Sequence, residues 1–227
     1  MTAAQSGFDV LVHHRDSPDE AESVAVQVRG LDRQAATVAA DLNCPSDIAN
    51  LIAAAPGPVR LLVNCASLFT DDRIGSLSVE GWDAIIATNL RAPILLAQAF
   101  AAALSPDDQG LIVNVTDQRV WRLTPQFFSY TISKAALWTA TQTLAQSLAP
   151  NIRVNAIGPG PVLASIHQTA ADFATEAGGI PLGRGPQPHE IADALRYLID
   201  ATSVTGQMIA VDGGQHLSWR TPDVVNL

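Results

Sequence analysis

The stretch GLIVNVT, residues 110–116, is a short apolar run that ends in polar residues. It is too continuously apolar for a strand with one solvated face, so it is typical of a strand buried on both faces of a parallel sheet. Related runs recur along the chain, and we predict six strands: 8–14, 36–41, 59–64, 110–116, 152–158 and 206–212.

Amphipathic segments separate these strands. We predict helices over 18–29, 46–55, 79–104, 125–149 and 187–200, the first bounded by Pro18 and Gly30. The repeated order of strand and helix predicts an α/β fold, a doubly wound and mostly parallel sheet with helices on both faces. The alternative, a (β/α)8 barrel, needs eight such units. Residues 1–227 are predicted to form a single domain, in which the Gly- and Pro-rich region 158–186 is a substrate or lid loop.

The composition of the chain excludes some classes of function. The chain of 227 residues is 48% hydrophobic, enough for one full core, and its net charge of −9 argues against binding nucleic acid or an anionic membrane, which both require a basic patch. The N-terminus has no signal-peptide pattern, so we expect a cytoplasmic protein. Cys44 and Cys65 are isolated in sequence, so free thiols are expected and neither a metal site nor a disulfide framework is predicted.

Small or polar residues follow three of the predicted strands. They are 64–69 (NCASLF), Asp117 and 158–161 (GPGP). Ligands of doubly wound sheets bind at the carboxyl ends of the strands, so these residues are candidates for a small-molecule site. Taken singly, each is better explained as an ordinary turn residue, but their joint occurrence weakens that explanation.

Tyr130 and Lys134, in FFSYTISKAALW (127–138), are separated by one helical turn, and Lys134 is the only lysine of the chain. A nearby ammonium stabilises a phenolate, so the pair could lower the pKa of Tyr130 toward neutrality and make it a usable proton donor or acceptor. Chance spacing on a helix is the alternative for this motif taken alone.

Through these residues, and from Asp9 almost to its end, the chain resembles the short-chain dehydrogenase/reductase family, whose fold is Rossmann-like. Tyr130 and Lys134 match the family's catalytic pair, NCAS (64–67) its NNAG motif, and Asn89 its central-helix asparagine. PGPV (159–162) and VTGQMIAVDGG (204–214) match its nicotinamide-side turn and its last strand.

Two departures refine the resemblance. Cys65 replaces an asparagine of the family motif, and Asp117 stands thirteen residues before Tyr130, where most members have serine. An aspartate there is similar to the pteridine reductase branch, in which an aromatic residue stacks on the pterin ring. Ser67 and Phe69 occupy the matching substrate-binding positions; for Phe69, a plain core or lid contact is the alternative.

The resemblance implies hydride transfer from a nicotinamide to a C=N or C=O bond, with protonation from the Tyr130 side, and a pterin or dihydrofolate is the expected substrate. It implies that Lys134 holds the ribose and lowers the pKa of Tyr130, that Asn89 supports a water, and that Asp117 orients the substrate ring or passes a proton. Cofactor contacts are implied for Asn64, Ala66, Tyr130, Lys134, Pro159, Gly160 and Val162.

The preference for NADPH or NADH depends on HHRDS, 13–17. Arg15 and Ser17 favour the 2′-phosphate of NADPH, whereas Asp16 favours the free ribose of NADH; we expect NADPH, with NADH possible. Asp41 and Leu42 match the family's contact with the adenine edge.

The family's Gly-rich loop and the strand before it have no counterpart in this sequence, so we expect an N-terminally truncated version of the fold in which 1–7 is the end of the first helix. GGIPLGRG (178–185) contains a GxxxGxG pattern but includes Pro181 and follows no strand, so it is not expected to bind pyrophosphate. Three hypotheses remain: a shortened reductase, a non-catalytic scaffold that oligomerises or binds a partner, and another enzyme on the same scaffold, such as a dehydrogenase of another carbonyl or alcohol, a synthase or an epimerase. The family resemblance also implies a homo-oligomer, dimer or tetramer.

Overall fold

The computed structural model describes residues 1–219, in which six parallel strands alternate with helices. The strands are β1 (Val10–His14), β2 (Ala35–Ala39), β3 (Leu61–Asn64), β4 (Gly110–Val115), β5 (Ile152–Pro159) and β6 (Met208–Val211). The α-helices are α1 (Thr2–Gln5), α2 (Pro18–Arg29), α3 (Pro45–Leu51), α4 (Val79–Ile86), α5 (Ala92–Ala103), α6 (Phe128–Ser147), α7 (Ala170–Gly178) and α8 (Pro188–Asp200). A π-helical turn covers Ala87–Arg91, and 3-10 turns cover Gln118–Val120 and Gln215–Leu217.

Strand β4 shows why the sheet is covered on both faces. Successive side chains of a strand point to opposite faces: Ile112 packs with Phe100 of α5 and Ala145 of α6, whereas Leu111 packs with Leu198 of α8. All of these side chains are buried. The doubly wound α/β architecture is therefore confirmed, as is the Rossmann-like arrangement of parallel strands.

The strands form two separate ladders. β1 pairs with β2 in one, and β3, β4, β5 and β6 pair in that order in the other. Within residues 1–219, one edge of β1 and one edge of β3 therefore have no strand partner. The residues of β1 are only partly buried despite the apolar start of the strand, and Val63 of β3 is 37% exposed.

Most of the predicted helices are confirmed. α2 has the predicted bounds, and 1–7 contains the short α1, whose Gln5 accepts a hydrogen bond from Arg196 of α8. The predicted helix 79–104 is instead an α–π–α succession. Pro93 lies in the first turn of α5 and cannot donate a backbone hydrogen bond, which favours a break in the regular ladder just before it.

The prediction that 158–186 is a loop was wrong over Ala170–Gly178, which form α7. The Thr169 hydroxyl and the Asp172 carboxylate form a reciprocal capping box at its start. This Thr-x-x-Asp spacing is a sequence signal for a helix N-terminus. α7 has no buried residues, so its apolar pattern gave little indication of a helix.

Among residues 1–219, the stretch Val79–Ala103 is long and apolar enough to cross a membrane by length and composition, and half of its apolar window is buried inside the protein. Phe100 and Ala97 of this stretch pack against the sheet residue Ile112. Burial of this kind is usual for a core helix.

Candidate active site

Three of the predicted catalytic residues meet beyond the carboxyl end of β4. The Tyr130 hydroxyl on α6 donates to the Asp117 carboxylate at 2.7 Å, and the Lys134 ammonium, one turn along α6, donates to the carbonyl of Val115 at 2.8 Å. Tyr130 and Lys134 are 7% and 2% exposed. The helical spacing of the pair therefore places both polar groups at the end of β4.

The protonation of this group differs from the sequence-based expectation. Burial raises the pKa of Tyr130 well above its usual value, and the negative charge and hydrogen bond of Asp117 raise it further. Burial lowers the pKa of Lys134 to about 8, against the opposing charge of Asp117. Burial also raises the pKa of Asp117, although hydrogen bonds from Arg119 and Tyr130 oppose this. The prediction that Lys134 brings the pKa of Tyr130 toward neutrality was wrong, because burial and Asp117 dominate.

Asn89 lies in the π-helical turn 87–91 and holds the loop that follows β3. Its side-chain oxygen accepts from the Leu68 N–H at 2.8 Å and from the Ser67 hydroxyl at 3.3 Å. Its amide nitrogen donates to the Leu68 carbonyl at 2.9 Å and to the Ser133 hydroxyl at 3.1 Å. The protein itself therefore occupies the side-chain hydrogen-bonding groups of Asn89, which hold the loop after β3. The role of Asn89 in supporting a water stays a prediction.

An aromatic cluster covers the Tyr130 side of the site. The Phe69 ring stacks on Phe127 with centroids 4.2 Å apart and meets Tyr130 edge-on at 4.6 Å. His167 lies against both phenylalanines and hydrogen-bonds the Phe69 carbonyl at 3.2 Å. The Arg119 guanidinium lies over the Phe127 ring at 5.1 Å. The structure thus places Phe69 beside Tyr130.

Sequence reasoning missed Phe127, His167 and Arg119. Phe127 directly precedes α6 and has a left-handed backbone, with φ of 53°, which is rare for a bulky residue. The prediction of a helix that begins at 125 was wrong at this residue, because α6 begins at Phe128. His167 is separated from Phe69 by 98 positions and lay in the predicted loop. For Arg119 there was one sequence signal of a place in the site: it lies only two residues after the predicted site residue Asp117.

The ends of β1 and β2 form an open pocket of about 370 Å³ at the position predicted for the adenosine half of a cofactor. It is lined by Arg15, Asp16, Ala39, Ala40, Asp41 and Asp47. Arg15 is exposed and pairs with Asp16 at 2.6 Å, and Ser17 is the exposed residue just before α2. The Leu42 side chain is buried in the core, so only its backbone can serve a ligand.

The remaining predicted cofactor residues lie at the ends of β3 and β5. Asn64 is buried and its amide donates to Asn114 at 2.8 Å, which leaves the exposed Ala66 as the accessible position after β3. Pro159 and Val162 are partly buried at the end of β5. Gly160 lies so close to Asp212 that an added Cβ would come within 2.7 Å of its Cα, so glycine is required there by packing.

These residues fit the two ends of a dinucleotide, the adenosine end through the Arg15 pocket and the nicotinamide end through the Tyr130–Lys134 side. That the GxxxGxG pattern does not bind the pyrophosphate stays a prediction, and the packing of its glycines agrees with it. Gly179 ends α7, and a Cβ on Gly185 would come within 2.1 Å of the Pro161 carbonyl. That glycine permits close packing of two loops.

Comparison with known proteins places this geometry in a family. Residues 1–216 match the sequence model described as enoyl-(acyl carrier protein) reductase. The chain is 33% identical over 226 residues to the 3-oxoacyl-(acyl-carrier-protein) reductase FabG of Aggregatibacter actinomycetemcomitans. This match covers 94% of this chain and 91% of that protein.

Two solved structures extend the comparison. FolM alternative dihydrofolate reductase 1 of Brucella suis, in complex with NADP, is 49% identical, with a TM-score of 0.94 over 99% of this chain and 91% of that chain. The Brucella canis protein, also with NADP, is 48% identical with a TM-score of 0.92 over the same shares. The family match over almost the whole chain, together with the Tyr130–Lys134 pair at the end of a parallel strand, shows that this chain belongs to the short-chain dehydrogenase/reductase family.

Proposed function

We propose that the protein is an NADPH-dependent reductase that transfers hydride to a C=N bond of a pterin or dihydrofolate-like substrate. The observation that carries this proposal is the Tyr130–Asp117 pair beside the Phe69 ring, at 2.7 Å and 4.6 Å. It combines a proton donor, a carboxylate able to accept N–H groups and a flat apolar surface. The likeness to two FolM alternative dihydrofolate reductases solved with NADP supports it.

The raised pKa of Tyr130 suits reduction. A reductase must give a proton to the atom next to the one that receives hydride, so its acid must be protonated at neutral pH. Burial and Asp117 keep the Tyr130 hydroxyl protonated there. Lys134, with a pKa of about 8, carries a positive charge that favours the anion left by proton transfer. Bound NADPH would supply the hydride.

Substrate selection in this proposal depends on Asp117 and Phe69. A carboxylate accepts two parallel hydrogen bonds from an aminopterin edge, and the hydrogen bond between Asp117 and the Tyr130 hydroxyl offers a path by which a proton could return to Tyr130. Phe127 covers one face of the Phe69 ring at 4.2 Å, so a flat substrate would stack on the other face. The bicyclic pterin offers both the flat surface and the N–H groups.

The cofactor preference in this proposal depends on Arg15. Its guanidinium is exposed at the pocket after β1, where a 2′-phosphate would lie, and its pairing with Asp16 at 2.6 Å is open to solvent on both sides. Such exposed pairs contribute little to stability, so Arg15 can exchange Asp16 for a phosphate.

The test combines binding and turnover. The chain is titrated with NADPH and with NADH while nicotinamide fluorescence and thermal stability are recorded, and NADPH-dependent reduction of dihydrobiopterin and dihydrofolate is then followed. We expect saturable NADPH binding, a raised melting temperature and turnover that Asp117→Asn reduces about 100-fold or more. NADPH binding without reduction of either substrate would refute the substrate assignment.

A second candidate is reduction of a non-pterin carbonyl, because the chain is 33% identical to a 3-oxoacyl-(acyl-carrier-protein) reductase. Asp117 discriminates between the candidates. A simple ketone has no N–H groups for its carboxylate, so Asp117→Asn should have little effect on ketone binding and a strong effect on pterin binding. Failure of the folded chain to bind NADPH would favour the non-catalytic scaffold. Homo-oligomer formation and a cytoplasmic location stay predictions.

A further inference from the structure

The N-terminus of α6 is capped by a residue from a distant part of the chain. The preceding residue, Phe127, has no side-chain acceptor for the first free N–H groups of the helix. Asp72, 57 positions before Ser129, takes this role. Its backbone carbonyl accepts from the Phe128 N–H at 3.1 Å, and its carboxylate accepts from the Ser129 N–H at 3.0 Å. The other carboxylate oxygen accepts a short hydrogen bond from the Ser129 hydroxyl.

The environment of Asp72 makes these contacts hard to replace. Asp72 is 7% exposed and Ser129 is fully buried. The positive end of the helix dipole favours a negative charge at this position, and water has little access to the groups that Asp72 satisfies. Loss of the carboxylate would therefore leave a buried N–H and a buried hydroxyl without their partner.

The cap lies between two parts of the active site. Ser129 directly precedes Tyr130 on α6, and Asp72 follows Phe69 by three residues in the loop after β3. That loop is held at its other side by Asn89, through both backbone groups of Leu68. Phe69 therefore lies between two anchors, and the second anchor is the first turn of the helix that carries Tyr130.

We propose that Asp72 is a positioning residue that fixes the Tyr130 hydroxyl and the Phe69 ring relative to one another by joining the substrate loop to the start of α6. It touches neither the reacting atoms nor Asp117, and it acts through Ser129 and the loop. Its effect on catalysis rests on the proposed function, whereas its effect on the surroundings of Tyr130 does not.

The chain offers matched variants. Asp72→Ala removes the carboxylate, and Asp72→Asn keeps one acceptor for the Ser129 N–H, so it should restore part of the function. Ser129→Ala removes only the hydroxyl contact. Asp71→Ala is the charge-matched control, because Asp71 is exposed and its contact with Arg73 is a long one of 3.7 Å at the surface.

One readout does not depend on activity. The chain has two tyrosines, so in a Tyr197→Phe background the phenolate absorbance near 295 nm reports on Tyr130 alone. With the cap intact, burial raises the pKa of Tyr130, so the hydroxyl stays protonated at pH values well above its usual pKa. We expect Asp72→Ala to let phenolate form at lower pH in a protein that is still folded by circular dichroism. Asp71→Ala should titrate like the background protein.

The second readout is steady-state kinetics with NADPH and dihydrobiopterin. We expect Asp72→Ala to lower kcat about tenfold or more, because small misplacements of a proton donor have effects of this size. KM should rise through displacement of Phe69, Asp72→Asn should lie between Ala and wild type, and Asp71→Ala should stay within about twofold.

A wild-type Tyr130 titration together with kcat within twofold for Asp72→Ala would overturn the proposal. If Asp72→Ala does not fold, Asp72→Asn and Ser129→Ala test the proposal instead. Intermediate effects of these variants on the titration and on kcat would support the proposal, and wild-type behaviour of both variants would overturn it. If the unmodified chain does not reduce dihydrobiopterin, the proposed function fails, and the phenolate titration alone decides the role of Asp72.

Discussion

Lys134→Met should make the protein more stable at neutral pH while removing its activity. Burial lowers the pKa of Lys134 from 10.5 to about 8 in the folded protein. This difference corresponds to about 3 kcal/mol of unfavourable free energy for the buried ammonium. Methionine has a similar shape and no charge, but the Val115 carbonyl loses a hydrogen bond of 2.8 Å, a loss of about 1–2 kcal/mol. We therefore expect a net gain of about 1–2 kcal/mol at pH 7.

The gain should disappear as the pH rises. Below pH 8, Lys134 is charged in both the folded and the unfolded state, so the wild type carries the full unfavourable term. Between about pH 8 and 10.5 the unfolded state binds more protons than the folded state, so the unfolding free energy of the wild type rises with pH. By pH 9.5 this rise is about 2 kcal/mol, and Lys134→Met does not share it.

Urea denaturation of both proteins at pH 7 and at pH 9.5 measures this difference. Tyr130→Phe is the control: because the pKa of Tyr130 is raised well above its usual value, the hydroxyl does not titrate in this range and the control should follow the wild-type pH dependence. A stability difference between Lys134→Met and wild type that is the same at both pH values would refute the reasoning. So would a loss of more than about 1 kcal/mol at pH 7.

Three further substitutions test other parts of the site. Asn89→Ala removes both hydrogen bonds to the Leu68 backbone, so the free energy of unfolding in urea should fall by about 2–4 kcal/mol; a change below 1 kcal/mol would contradict the loop-holding role. Arg15→Ala should weaken NADPH binding about tenfold or more in a fluorescence titration and leave NADH binding unchanged, whereas equal losses for both would show that Arg15 does not read the phosphate. Phe69→Leu should raise KM for dihydrobiopterin about tenfold and leave KM for a small aliphatic ketone within twofold; equal effects on both would exclude selective stacking.

The pattern of local hydrophobicity was enough to locate most elements. α2 was predicted with its observed bounds because Pro18 marks its start and Gly30 follows its last residue. β4 was predicted because a strand that is buried on both faces requires continuous apolar residues. α7 was missed because it buries none of its residues, so its start was marked only by the capping box. The predicted start of α6 was three residues too early because the left-handed backbone at Phe127 has no sequence signature in a phenylalanine.

The sequence by itself determined that Tyr130 and Lys134 share a helix face and that Asp117 follows a buried strand, because both facts depend on spacing along the chain. Only the tertiary structure decided what these groups do to one another. Whether Lys134 or Asp117 controls the pKa of Tyr130 depends on burial and on distances between elements 13 residues apart in sequence. The capping of α6 by Asp72 and the stacking of Phe127 on Phe69 join positions 57 and 58 residues apart, and such contacts follow from how strands and helices pack, which local pattern does not specify.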